Sequence, residues 1–264
     1  MTPKRFWRDM PTTMFGPQAA DWIAVLPLAA VEQHGPHLPV GVDAFIAEGL
    51  VARCAAALPA DSPVTFLPVQ QVCKSNEHIS FPGTLTIDWE TTIKSWLQIG
   101  DSIARAGVRK VVMITSHGGN AAPMEIVARE LRERHAMLAV TTSFGRLSDW
   151  QNIYDYGEVI TDIHGGNAET SLMLALRPEL VDLAKAENFA SRQSALKAKY
   201  RHLGLHSSDA NIAWLAEDLN PSGVVGDASA ASAENGEREI ASVVAGFIRL
   251  MDEIAETEPP KRSA

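Results

Sequence analysis

Lys110-Val111-Val112-Met113-Ile114-Thr115-Ser116-His117-Gly118-Gly119-Asn120 passes from an almost unbroken apolar run straight into a histidine, two glycines and an asparagine. Such a run is what a parallel strand covered on both faces requires. Working outward, the stretches 22–28, with Pro27 near its end, and 64–69 have the same strand character, and 138–142 follows later in the chain. Helical patterns lie between them. One starts at Asp43, placed to cap it, and runs to about Leu58 with Ile46, Leu50, Val51 and Cys54 on one face. A second runs from Asp88 to about Ala106, where Gly107 stops it. Further helices follow Asn120 to about His135, span 168–176 ahead of Pro178, and close the chain over 234–256. This alternation predicts an α/β fold, a three-layer α/β/α sandwich with a mostly parallel sheet. One domain is expected over residues 1–264, its core at about 20–250, with the mixed, polar segment 184–220 as a peripheral lobe or oligomer contact. Ligand sites in such sheets lie beyond the carboxyl ends of the strands.

The 264 residues carry a net charge of −9 and contain no Lys/Arg-rich run, so a nucleic-acid partner is not expected. No stretch approaches the roughly 20 apolar residues of a membrane span. The N-terminal Met1–Trp7 has charge but no apolar core of a secretory signal. Two cysteines, Cys54 and Cys73, imply no disulfide framework and fit a reducing compartment. A cytoplasmic protein is expected.

A second stretch, Glu32-Gln33-His34-Gly35-Pro36-His37-Leu38-Pro39-Val40-Gly41-Val42-Asp43, carries two carboxylates and two imidazoles between its turn residues. A plain strand-to-helix loop needs only the turn residues. Imidazole with carboxylate suits Zn²⁺, Mn²⁺ or Fe²⁺. Glu32 and His34 are two apart and point the same way on an extended segment. Asp43 has two oxygens and could bridge two metals. Three further clusters follow: Glu77-His78, His117-Gly118-Gly119-Asn120 and His164-Gly165-Gly166-Asn167-Ala168-Glu169. Ser171 has no Gly-x-Ser-x-Gly elbow around it, which argues against a serine hydrolase, and no Gly-rich phosphate loop appears.

Together, the Glu32–Pro39 segment with Asp43, the Phe81-Pro82-Gly83-Thr84 run, the His117-Gly118-Gly119-Asn120 turn and the His164-x4-Glu169-Thr170-Ser171 segment resemble the creatininase (creatinine amidohydrolase) superfamily over roughly residues 20 to 240. The resemblance implies a metal-dependent amidohydrolase with two divalent ions and a small-molecule substrate. It also implies a homo-oligomer, with a hexamer as the expected form. Glu32, His34, Asp43 and His117 match the family's metal ligands, with Asp43 as the bridge. The glutamate that creatinine-hydrolysing members carry two residues after His117 is here Gly119. Glu169 is the substitute candidate, as a ligand or as a helix-start carboxylate beside one. His164 matches the family's proton shuttle, work that suits an imidazole. His37 is either an orienting partner of a ligand or a structural histidine, and Glu77 and His78 either wall a pocket or close a local turn. Gly118, Gly119 and Asn120 would bring backbone amides to a ligand. Trp150 is a candidate pocket wall, and His135, His202 and His206 have no assigned role. Creatinine is disfavoured as substrate, because Ile160 and Thr161 stand where its hydrolases carry tryptophan and aspartate. The resemblance extends to formamide hydrolases of pyrimidine precursors, a peptidase of a peptide-derived redox cofactor and hydrolases of cyclic keto-sugars. The same hydrolytic site would serve an amide, a lactone or a cyclic ketone, and a metal-binding module without turnover is the reading from another class.

Overall fold

The computed structural model describes residues 1–155, 161–259 and 261. A four-stranded parallel sheet forms its centre, built from β1 (Ile23–Leu28), β2 (Val64–Phe66), β3 (Lys110–Thr115) and β4 (Leu138–Ser143) in the order β2-β1-β3-β4. Every residue of β1 and β3 is buried, so the continuous apolar runs match strands covered on both faces. Alternate side chains feed two cores. Ile23, Val25, Val112 and Ile114 pack with α1 (Val42–Ala57) and α7 (Ala233–Glu256). Ala24, Leu26, Val111 and Met113 pack with α2 (Trp89–Arg105) and α3 (Ala121–His135) on the other face. The three-layer α/β/α sandwich is therefore as the sequence predicts.

Two boundaries differ from expectation. The second strand ends at Phe66, because Pro68 has no N–H to donate to the ladder; pairing resumes only where Gln70 N–H reaches the Pro27 carbonyl at 2.9 Å. Asp43 does not cap α1. The helix begins at Val42 behind Gly41, and the buried Asp43 carboxylate turns away from the helix end. Asp88 does cap α2, accepting Thr91 N–H at 2.7 Å.

The order of the sheet places the site. From β1 the chain moves outward to β2, then crosses back over β1 to β3, so the carboxyl ends of β1 and β3 flank a topological switch point. The loop after β1 starts toward Glu32, and β3 runs into His117.

Segment 184–220 contains β5 (Asn188–Phe189), α5 (Arg192–Lys199), β6 (Leu203–Gly204), β7 (Ala210–Asn211) and α6 (Ala216–Leu219), with β8 (Gly226–Asp227) pairing back onto β5. It is not merely peripheral, as described below. Both cysteines are buried free thiols. Among the described residues no helix is long and apolar enough to cross a membrane.

α4 (Asn167–Leu176) lies against α7, and their approach depends on Gly236. A Cβ there would sit 2.0 Å from the Ser171 carbonyl oxygen. Gly236→Ala should therefore push α4 off its seat and cost about 1–3 kcal/mol, the usual scale of overpacking. An unfolding midpoint in denaturant equal to that of the unaltered chain would contradict this packing.

Candidate metal centre

Glu32 is fully buried at the end of the loop that leaves β1. Its Oε1 faces three imidazoles: His117 Nδ1 at 3.2 Å, His78 Nε2 at 3.3 Å and His164 Nδ1 at 3.5 Å. Its Oε2 accepts a short hydrogen bond from Ser75 Oγ. Asp43, from the first turn of α1, places Oδ2 3.8 Å from both His34 Nε2 and His117 Nδ1. Glu169, from the first turn of α4, places Oε2 3.5 Å from His34 Nε2. These atoms form three overlapping groups, each within 4.8 Å: Glu32–Asp43–His117, His34–Asp43–Glu169 and Glu32–His34–His164. Asp43 belongs to the first two, the place a bridging carboxylate would have.

Three of the imidazoles are oriented in one way. Each gives one ring nitrogen to a backbone carbonyl and turns the other inward. His34 Nδ1 meets Glu32 O at 3.1 Å, His117 Nε2 meets Lys74 O at 3.0 Å, and His164 Nε2 meets Gln33 O at 2.6 Å. On His34 and His164 the inward nitrogen then has a lone pair free for a Lewis acid, and on His117 it is the nitrogen that would release its proton to one. His78 is set differently. The Gln33 amide donates to its Nδ1 at 2.9 Å and to Gly223 O at 2.8 Å, so His78 Nε2 carries the proton and points it at Glu32.

Electrostatics follow from this crowding. Burial pushes His34 and His164 down to about 4 and His78 to about 3, with the neighbouring imidazoles adding to the effect on the last two. All three are neutral at pH 7. His117 goes the other way. Burial opposes its charge, but Glu32, Glu77 and Asp43 outweigh burial and raise it well above the ordinary value. Glu32 is correspondingly lowered against its own burial by His117. Asp43 and Glu169 are raised, chiefly by burial and then, for Asp43, by Glu32. His34 Nε2 and Asp43 Oδ2 are buried and, among the described residues, have no hydrogen-bond partner. Such atoms are costly unless something else occupies them.

The remaining candidates fall into place around this centre. Glu169 Oε2 accepts Gly165 N–H at 2.5 Å and also faces His34 Nε2. His37 lies outside the centre, where its Nε2 meets Gly165 O at 2.9 Å and its ring stacks on Phe189; it steadies the turn between His164 and Glu169. Gly118 and Gly119 line the cavity over the centre, whereas the Asn120 side chain is buried and ties Ala29 O to Thr115 Oγ1. Glu77 and His78 both wall that cavity. Its volume is about 480 Å³, and its far wall is Ala213-Trp214-Leu215, from the segment expected to be peripheral. Trp150 does not line it, and Ile160 lies outside the described residues. His135 and His202 form ion pairs with Asp101 and Asp209 away from the centre.

Sequence reasoning missed Gln33, the Lys74 carbonyl, Asp162 and the Trp214 wall. Asp162 is partly buried, pushed up to about 7 by desolvation, and accepts Asn167 N–H at 2.6 Å beneath the start of α4. Gln33 and Lys74 sit beside motif residues, which is the only signal they carried. Nothing in the sequence marked Trp214.

Known proteins are similar to this chain over most of its length. The family model for creatininase (creatinine amidohydrolase) matches residues 9–251. A mycofactocin precursor peptide peptidase from Mycobacterium ulcerans (strain Agy99) is 32% identical over 231 residues, 84% of this chain and 82% of its own length. A creatinine amidohydrolase from Pseudomonas putida is 33% identical over 62% of this chain and 68% of its own. A 3-dehydro-scyllo-inosose hydrolase from Thermotoga maritima is 24% identical over 90% of this chain and 79% of its own. The crystal structure of a creatininase superposes with a TM-score of 0.76 at 25% identity, covering 97% of this chain and 100% of that one, and a manganese form of creatininase gives 0.75 at the same identity and coverage. Fold, sequence similarity and family model agree, and the chain belongs to the creatininase family of hydrolases.

Proposed function

We propose that this chain is a two-cation amidohydrolase that cleaves the C–N bond of a small or peptide-derived amide. The observation that carries the proposal is the pair of buried inward-facing atoms, His34 Nε2 and Asp43 Oδ2, that lack a hydrogen-bond partner among the described residues, gathered with Glu32, His117 and Glu169 into two groups that share Asp43. Their chemistry, two imidazoles and three carboxylates, suits Zn²⁺, Mn²⁺ or Fe²⁺. Glu32, Asp43 and His117 would hold one cation, and His34, Asp43 and Glu169 the other. Glu169 thereby supplies the carboxylate absent at Gly119, which removes the sequence feature that favoured a binding module without turnover.

When bound, a pair of such cations supplies Lewis acidity and a water of lowered pKa. The chain supplies the rest. The cavity between Gly118-Gly119 and Trp214 admits the substrate over the centre. His164 keeps its Nε2 proton on Gln33 O and presents neutral Nδ1 to the centre. Neutral at pH 7, it takes a proton from the attacking water at Nδ1 and hands it to the leaving nitrogen, as general base and then general acid. A second role is supported by the third group, in which His164 Nδ1 joins Glu32 and His34 as a possible ligand. Amide cleavage is favoured over the keto-sugar chemistry of the Thermotoga relative because the peptidase is the more similar of the two over comparable spans of this chain.

Metal analysis separates the roles. Asp43→Asn should lose both cations and not one, while Glu169→Gln should fall towards one. Two equivalents retained in Asp43→Asn would sink the shared-carboxylate assignment.

His164→Ala should keep both cations and slow turnover by roughly 10²–10⁴, the usual worth of a positioned acid–base group. The loss should shrink on anilides with good leaving groups. Loss of a cation in this variant would make His164 a ligand instead.

Protons and cations should compete. In the cation-free chain His117 is charged and Asp43 is protonated more readily than usual, so loading at neutral pH should expel at least one proton, and affinity should weaken as pH falls. His34 is already neutral down to about pH 4 and should contribute none. Calorimetric binding enthalpies independent of the buffer's own ionisation enthalpy would refute this linkage.

A further inference from the structure

The back of His117 is built as carefully as its front. Nδ1 faces Glu32 and Asp43, while Nε2 points the other way, 3.0 Å from Lys74 O and 3.3 Å from Glu77 Oε1. Two acceptors at Nε2 keep a proton there, so Nδ1 is the nitrogen that gives up its proton when a cation binds. The second Glu77 oxygen, Oε2, is gripped by Lys74 Nζ at 2.7 Å, so one residue supports the imidazole through its carbonyl and the carboxylate through its ammonium. Room for this comes from residue 119. A Cβ there would lie 1.9 Å from Glu77 Oε1 and 2.4 Å from His117 Nε2. Glycine at 119 is thus the condition for Glu77 to reach the ring.

We infer that Glu77, clamped by Lys74, is the positioning residue for His117, and that it sets the affinity of the Glu32–Asp43–His117 group for its cation without touching that of the His34–Asp43–Glu169 group. The inference rests on the two-cation proposal above. A carboxylate behind a ligating imidazole fixes its tautomer and orientation and makes it a stronger donor, and losing such a partner typically weakens metal affinity about 10–100-fold. Glu77 does not belong to any of the three groups facing the centre, and its contact with them is the one it makes with His117 Nε2.

The test is a Zn²⁺ titration of the full chain against a chromophoric chelator, for the unaltered protein, Glu77→Gln and Glu77→Ala. One of the two binding steps should weaken about 10–100-fold and the other stay as it was. In the Zn²⁺-loaded chain, the ring N–H proton of His117 should move upfield in Glu77→Ala, as its charged acceptor is lost. Two unchanged steps with an unmoved ring proton would overturn the inference and leave the two-cation proposal standing. Equal weakening of both steps together with a lower melting temperature would also overturn it, since that marks a general structural role. An unaltered chain that takes up no Zn²⁺ or Mn²⁺ would overturn the two-cation proposal itself, and this inference with it.

Discussion

Carboxylates buried beside one another are the constraint on which the rest depends. Glu32 and Asp43, both buried, come within 4.8 Å of one another, and Asp43 comes as close to the partly buried Glu169. Two like charges at that distance repel by about 3–4 kcal/mol even at an effective dielectric of 20. One imidazolium, His117, offsets part of this. The other inward-facing imidazoles are held neutral, so they answer the crowding with lone pairs and no positive charge. A region with this composition is unfavourable as it stands and becomes favourable once compact positive charge enters it, which is how binding energy for cations is stored in a fold.

The sheet makes that concentration possible. Strands β1 and β3 are adjacent, parallel and buried throughout, so their carboxyl ends deliver the Glu32 loop and His117 to the same edge with little freedom. The first turns of α1 and α4 bring Asp43 and Glu169 to meet them. Backbone carbonyls, which cannot be altered by substitution, orient His34, His117 and His164. The centre therefore inherits its precision from main chain, and the side chains contribute chiefly their identity.

What could be read from the sequence follows the same division. Continuous apolar runs announced buried parallel strands, and residues of metal-ligand type grouped at the ends of two of them announced the centre. Such signals are local. Asp43 was misjudged as a cap because a carboxylate at a helix start has the same appearance whether it faces the helix end or a site. Trp214 and Gln33 were illegible for the opposite reason. Trp214 reaches the cavity from some 50 residues beyond His164, and Gln33 acts through contacts with Gly223 and His78, which only the folded chain brings near it. The shortened β2 was foreseeable from Pro68, whose missing donor breaks a ladder at a known place.

Glu77 and the absent side chain at 119 claim one volume, and that exclusivity has an evolutionary consequence. Glutamate at 119 and Glu77 folded over a glycine are therefore arrangements that one chain cannot hold together. Enlarging 119 first overfills the space, and withdrawing Glu77 first leaves His117 backed only by a carbonyl. The effect of changing either residue therefore depends on the other, so the arrangement around His117 would be inherited as a unit.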